Sequence, residues 1–112
     1  MDQILTKSDV ERIQGDVPEG KEFRFYTAEG ANTKVEAKSL RDFVKKLDEV
    51  QVASVDFHYP RGDFQLWIKD SVGDIELADS MCFVKPDVRG EKLRQTLQNM
   101  VQTRLVELKM QK

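Results

Sequence analysis

Pro60 is the residue that most limits how the middle of this chain can fold. Its ring fixes φ and it has no amide donor, so no ordinary helix or inner strand is expected to run through it. Tyr59, just before it, is pushed toward extended backbone. Arg61-Gly62-Asp63 then reads as a tight turn. Gly62 permits the turn and Asp63 stands where an N-cap belongs. Phe64, Trp67, Ile68 and Val72 follow at helical spacing, which seats Trp67 in the interior. Gly73 is placed to end that helix. Asp74 is placed to cap a second short one, with Ile75, Ala78 and Met81 on its inner side.

The segments on either side carry clearer periodicity. Ser8-Asp9-Val10-Glu11 has the form of a capping box, opening a short helix to about Gln14 with Val10 and Ile13 inward. Asp16 to Lys21 contains Pro18 and Gly20 and reads as a loop, a hinge between a loosely attached N-terminus and the rest. Glu22 to Ala28 alternates, with Phe23 and Phe25 on one face and Arg24 and Tyr26 on the other. Thr33 to Lys38 alternates again after the turn residues Glu29-Gly30-Ala31-Asn32, which predicts an antiparallel hairpin. A lone hairpin is marginal in water, so its Phe face must lie on helices.

Ser39-Leu40-Arg41-Asp42 is a second capping box. Leu40, Phe43, Val44, Leu47 and Val50 after it form the clearest amphipathic helix, with Asp42 able to pair with Lys46. Residues 51–59 fit two readings. Val52, Val55 and Tyr59 would line a helix, whereas Val55, Phe57 and Tyr59 would line a strand. A short helix is preferred because a strand here has only the hairpin to pair with. From about Val88, Leu93, Leu97, Met100, Val101, Leu105 and Leu108 make the longest helical stripe, with Gly90 weakening its first turn.

Taken in order, four groups of residues resemble the motif series of a small archaeal and bacterial family of unknown function. Ser54, Phe57 and His58 fit S-x-x-[FY]-H. Arg61, Gly62, Asp63, Phe64 and Trp67 fit R-G-D-F-x-x-W. Gly73, Asp74, Leu77 and Ala78 fit G-D-x-x-L-A, and Gly90, Glu91, Leu93 and Arg94 fit G-E-x-L-R. The likeness also reaches the aromatic strand EFRFYTAEG and the helix opening at Ser39-Leu40. It implies a fold and its boundaries, and no activity.

At 112 residues the chain is of single-domain size. A chain this long buries roughly two-thirds of its unfolded surface, enough for a core without metal or disulfide. The expected architecture is an α-rich α+β domain: an N-terminal antiparallel hairpin packed on four to five helices, the last one long. Residues 1–21 form a short helix and loop, and residues 22–112 the domain proper. No apolar run approaches the ~20 residues that span a bilayer, and the opening MDQILTKSDVER lacks the basic and apolar regions of a secretory signal. A single cysteine, Cys82, fits a reducing cytoplasm. Its neighbours Met81, Phe83 and Val84 suggest an apolar setting that keeps a thiol inert.

Net charge of −2 and a pI near 5.4 argue against a bulk nucleic-acid binder. From Lys85 onward seven basic residues face three acidic ones, leaving −6 for the remainder. This is a solvated helix face or a surface that meets an acidic partner, such as the acidic part of another copy.

Four residues are the candidates for a site: His58, Arg61, Asp63 and Trp67. In one reading they serve architecture. His58 then ties the turn to nearby backbone, Asp63 caps, Arg61 bonds a carbonyl or Asp56, and Trp67 is core. In the other, His58 is a general base oriented by Asp63, Arg61 grips an anion bidentately, and all converge in a pocket beside Trp67. No residue is assigned as catalytic. One His and one Cys do not make a zinc site. Asp70, Asp74, Glu76 and Asp79 lack calcium-loop spacing and read as a cap plus a solvated face. There is no phosphate-binding glycine loop and no nucleophile elbow, and no cofactor is expected. The expected function is a non-catalytic binding or interaction module, with a homodimer or protein partner on the C-terminal helix. A small-ligand or enzyme site around His58, Arg61 and Asp63 is the alternative.

Overall fold

The computed structural model describes residues 5–110, so the outer ends of the expected segments 1–21 and 22–112 lie outside the described residues. Helix α1 (Lys7–Gln14) comes first. Its capping box is Thr6 with Asp9 rather than Ser8 with Glu11. Thr6 Oγ1 accepts from Asp9 N (3.0 Å), and Asp9 Oδ2 accepts from Thr6 N (3.1 Å). Both pairs have the required spacing; the earlier one starts the helix ahead of Ser8. Val10, Ile13 and Val17 join the same core as the rest of the chain. Val17 N also donates to Lys38 O at 2.8 Å, so the loop expected to be a hinge is fastened to the domain.

Alternation builds the hairpin. Strand β1 (Phe23–Tyr26) pairs antiparallel with β2 (Asn32–Ala37), Phe23 opposite Ala37 and Arg24 opposite Glu36. The register shifts before the Tyr26–Asn32 pair. There Thr33 Oγ1 donates to Phe25 O (2.7 Å), so a side chain takes the place of a ladder bond. Phe23 and Phe25 face inward, as the pattern requires. The Phe25 ring stacks on Phe43 at 5.9 Å, and Phe43 meets Phe64 edge-on at 5.2 Å. Rings in these geometries add about 0.5–1.5 kcal/mol per pair beyond their burial.

Helix α2 (Leu40–Glu49) carries Leu40, Phe43 and Leu47 into the core. Ser39 caps it by accepting from Asp42 N (3.0 Å), but Asp42 closes on Lys38 N (3.1 Å) instead of on Ser39. Lys46 pairs with Glu49 at 3.8 Å and not with Asp42. Helix α3 (Val52–Arg61) resolves the ambiguity of residues 51–59 in favour of helix, and it runs through Pro60. The expectation of a break there fails because Pro60 lies in the final turn. Only one intrahelical bond is forgone, and the helix ends a residue later. Gly62, at φ 77°, closes α3 with its N–H directed to the His58 and Tyr59 carbonyls.

Asp63 is the first residue of α4 (Asp63–Trp67) and makes no capping bond. Trp67 is buried, its Nε1 donating to Lys21 O (2.7 Å). The helix widens into one π turn over Ile68–Val72, where Ile68 O accepts from both Gly73 N and Asp74 N. Gly73 sits at φ 91°, and a Cβ there would also press on the Arg12 guanidinium at 3.1 Å. In α5 (Ile75–Met81) the inward residues are Leu77, Ala78 and Met81. Ile75, expected inside, is half exposed, because the cap at Asp74 turns Leu77 rather than Ile75 to the core. Long helix α6 (Gly90–Met110) packs across α2, α3 and α5. Its Leu93, Leu97, Val101 and Leu108 are buried in the chain's own core.

Asp74 is not on a solvated face. It is 1% exposed and holds Arg104 of α6 through two bonds, Nε to Oδ2 at 2.7 Å and Nη2 to Oδ1 at 3.0 Å. Asp74 Oδ1 still caps α5 through Leu77 N (3.2 Å). Breaking a buried pair on one side leaves a charge without compensation, at roughly 3–5 kcal/mol. Arg104→Met is therefore expected to lower the unfolding free energy by about 3–5 kcal/mol in urea titrations. Adding Asp74→Asn to it should restore part of that loss; losses that simply sum would show the two groups to be uncoupled.

Candidate functional site

His58 stands where α3 passes the hairpin, and both of its ring nitrogens are occupied. Nε2 accepts the Tyr26 backbone N–H at 2.8 Å, and Nδ1 lies 2.8 Å from Asp63 Oδ2. An imidazole that accepts at Nε2 must carry its proton on Nδ1, so it donates to Asp63 and is neutral. The ring is 4% exposed and enclosed by aromatic neighbours, with Phe23 at 4.8 Å, Phe57 at 4.9 Å and Phe64 at 5.5 Å between centroids. A general base needs a lone pair within reach of a substrate proton. The only such lone pair on His58 is engaged by backbone.

Asp63 is the pivot of the group. The carboxylate expected to cap α4 turns back, and its Oδ2 accepts from His58 Nδ1 and also from Arg61 Nε (3.0 Å). Gly62 makes this possible, since its left-handed backbone reverses the chain between Arg61 and Asp63. The Arg61 guanidinium lies over the Phe57 ring, 4.7 Å from its centre. Arg61 Nη1 approaches Glu29 of the hairpin turn at 3.6 Å, beyond hydrogen-bond range.

Between hairpin and α3 lies an open cleft of about 350 Å³. His58, Arg61 and Asp63 all line it, together with Tyr26, Phe57 and Glu29. The structure thus brings three of the four sequence candidates to one place. Trp67 is not among the lining residues and belongs to the core. Sequence reasoning missed Phe57, Tyr26 and Glu29 as partners. Alternation had set Tyr26 on the side of β1 away from the Phe face, and Phe57 sits one turn before Arg61 on α3.

Elsewhere the candidates thin out. Cys82 is exposed at the end of α5 and Phe83 is 85% exposed, so the apolar setting expected for the thiol is not formed. Among the described residues no group of three or more His, Cys, Asp or Glu is placed to hold a metal ion, and no helix is long and apolar enough to cross a membrane. A second groove of about 370 Å³ between α5 and α6 exposes Glu76 and Glu107 beside Arg104, at 3.5 and 3.6 Å. No protein-family model matches the sequence, and no curated protein or solved structure matches it.

Burial pushes the His58 pKa below its ordinary value of 6.5; the hydrogen bond and charge of Asp63 oppose this, and Arg61 reinforces it. The unfolded chain then takes up a proton at higher pH than the folded one. The stability contributed by neutral His58 is fully present above about 6.5 and is lost as pH falls below that value toward the folded pKa. Urea midpoints are expected to drop between mildly alkaline and mildly acidic buffer. In His58→Gln, which cannot titrate, that part of the drop should vanish.

Proposed function

We propose that this chain is a non-catalytic binding module of the cytoplasm, with the cleft between hairpin and α3 as its binding face. The observation that supports this reading most is the state of His58. Both nitrogens are engaged by protein, yet the ring forms part of the wall of an open cleft. Such a wall is rigid and preorganised, which favours binding, and it leaves the acid–base role without a free lone pair. The alternative, an enzyme site around His58, Arg61 and Asp63, is weakened by the same bonds. Its small-ligand form merges with the cleft. A lone cysteine supports the cytoplasmic assignment, and the resemblance to a family of unknown function adds nothing on chemistry.

The cleft has the size of a small-molecule site, at the lower end of the usual ~300–1,000 Å³. Amide NMR spectra of the full chain, titrated with a fragment library, are expected to shift at Tyr26, Gly30, Phe57 and Arg61. Hits confined to other surfaces, or none at all, would remove the cleft as the binding face.

A homodimer or protein partner through α6 is a second reading, on narrower ground than the sequence suggested. Most of the predicted stripe packs internally. Val106 and Met110, four positions apart and so on one side of the helix, remain 58% and 80% exposed. If a second copy covers them, light scattering should give a concentration-dependent dimer that Val106→Asp dissolves. Monomers at every concentration would end this reading.

A further inference from the structure

We propose that the hairpin–α3 cleft takes a flat aromatic ring bearing a carboxylate or phosphate, held by Arg61 and Arg24, with Glu29 as the group the anion displaces. This inference rests on the cleft being the binding face. It adds the ligand's chemical class and a role for Glu29.

The argument begins with where the unsatisfied hydrogen-bonding capacity lies. Arg61 uses Nε on Asp63, and Arg24 uses Nε on Glu36 at 3.0 Å. Neither arginine makes a hydrogen bond through its terminal nitrogens among the described residues. Both arginines line the cleft, while Glu36 does not. Asp63 does line it, but the oxygen that faces His58 and Arg61 already takes two donors. The open donors are therefore guanidinium edges, the group best suited to a planar carboxylate or a phosphate.

Arg61 is also fixed in orientation. Asp63 holds its Nε, and the Phe57 ring supports its plane. Immobilising an arginine normally costs side-chain entropy at binding; here much of that cost is met by folding. The one group near its outer edge is Glu29, on the hairpin turn, with a side chain 87% exposed and a separation of 3.6 Å. A carboxylate that close to a guanidinium without a hydrogen bond, and almost wholly in water, contributes little. It occupies the position that a ligand anion would take, and it can swing into solvent when one arrives.

The rest of the cleft supplies the ring contacts. Phe57, Tyr26 and Phe23 are among the residues that line it. Aromatic walls favour a flat apolar body, and the volume of about 350 Å³ suits one or two fused rings. An anion without a ring would leave these walls wet; a ring without an anion would leave the guanidinium edges unmatched.

Benzoate and phenyl phosphate distinguish the two anions. Benzyl alcohol and benzylamine remove or reverse the charge, while acetate and inorganic phosphate remove the ring. Binding to the full chain is followed by NMR shifts at Tyr26 and Phe57. The ringed anions are expected to bind tightest, and Arg61→Ala to weaken them by about tenfold or more. Arg24→Ala, which lies outside the His58–Asp63–Arg61 group and gives up only the exposed cross-strand pair with Glu36, should weaken them as well at little loss of stability. Glu29→Gln should tighten them by up to about fivefold, the scale of an exposed ion pair. Benzyl alcohol or benzylamine binding in the cleft as well as benzoate would overturn the ligand class and leave the cleft standing. A Glu29→Gln variant with unchanged or weaker anion binding would overturn the displacement role. Silence toward every probe would take away the cleft itself.

Discussion

A neutral imidazole joins the hairpin to the helices. Two strands have two open edges and too few ladder bonds to stand alone in water. Where a third strand would present a carbonyl to β1, this chain presents His58 Nε2 to the Tyr26 N–H. Only one tautomer of one protonation state can do so. Asp63 selects that tautomer by accepting from Nδ1. The carboxylate therefore acts at a distance on the hairpin: it sets the ring, the ring holds β1, and β1 keeps the Phe23 and Phe25 rings over Phe43 and Phe64. The cleft lies along this same joint.

Three other polar contacts work in a similar way, each tying a helix end to a side chain remote in sequence. Arg94 of α6 donates to the Leu47 and Val50 carbonyls at the end of α2, at 2.5 and 2.7 Å. Asp56 of α3 accepts from Gly90 N at 2.8 Å and so starts α6. Arg104 of α6 takes the carboxylate that also caps α5. Unsatisfied groups at helix ends are costly when buried. Meeting them from neighbouring helices makes each end depend on tertiary packing, which favours all-or-none folding over a bundle of independent helices.

Periodicity made much of this architecture legible. The alternation of Phe23 and Phe25 located the hairpin, the spacing of Leu40, Phe43 and Leu47 located α2, and the stripe from Leu93 to Leu108 located α6. What failed were rules of local chemistry overridden by context. Pro60 forbids a helix in mid-run but not in a last turn. Asp63 is an excellent cap, yet a buried imidazole and an arginine compete for it and win. Cys82 has apolar sequence neighbours, but Met81 turns into the core while Phe83 and the thiol face outward at the end of α5. The long-range polar pairs had a weaker signal that was present all the same. Arg104 falls between Val101 and Leu108 on the apolar stripe of α6, a position where a charge implies a buried partner. The partner, Asp74, could not be named from spacing, because thirty residues separate the two and only the fold brings them together.

The candidate site shows why a His-Arg-Asp cluster need not be catalytic. In an acid–base site the carboxylate orients an imidazole whose second nitrogen faces a substrate. Here the second nitrogen faces a strand, so the same orienting bond yields a joint instead of a base. The consequence for the cleft is direct. Asp63 Oδ2 holds His58 on one side and Arg61 on the other, so the atom that fastens the hairpin also aims the guanidinium at the cleft. A wall and its cation are positioned by one carboxylate, and neither can move without disturbing the other. The imidazole is held at both nitrogens, and what the cleft presents beside it is charge and aromatic surface.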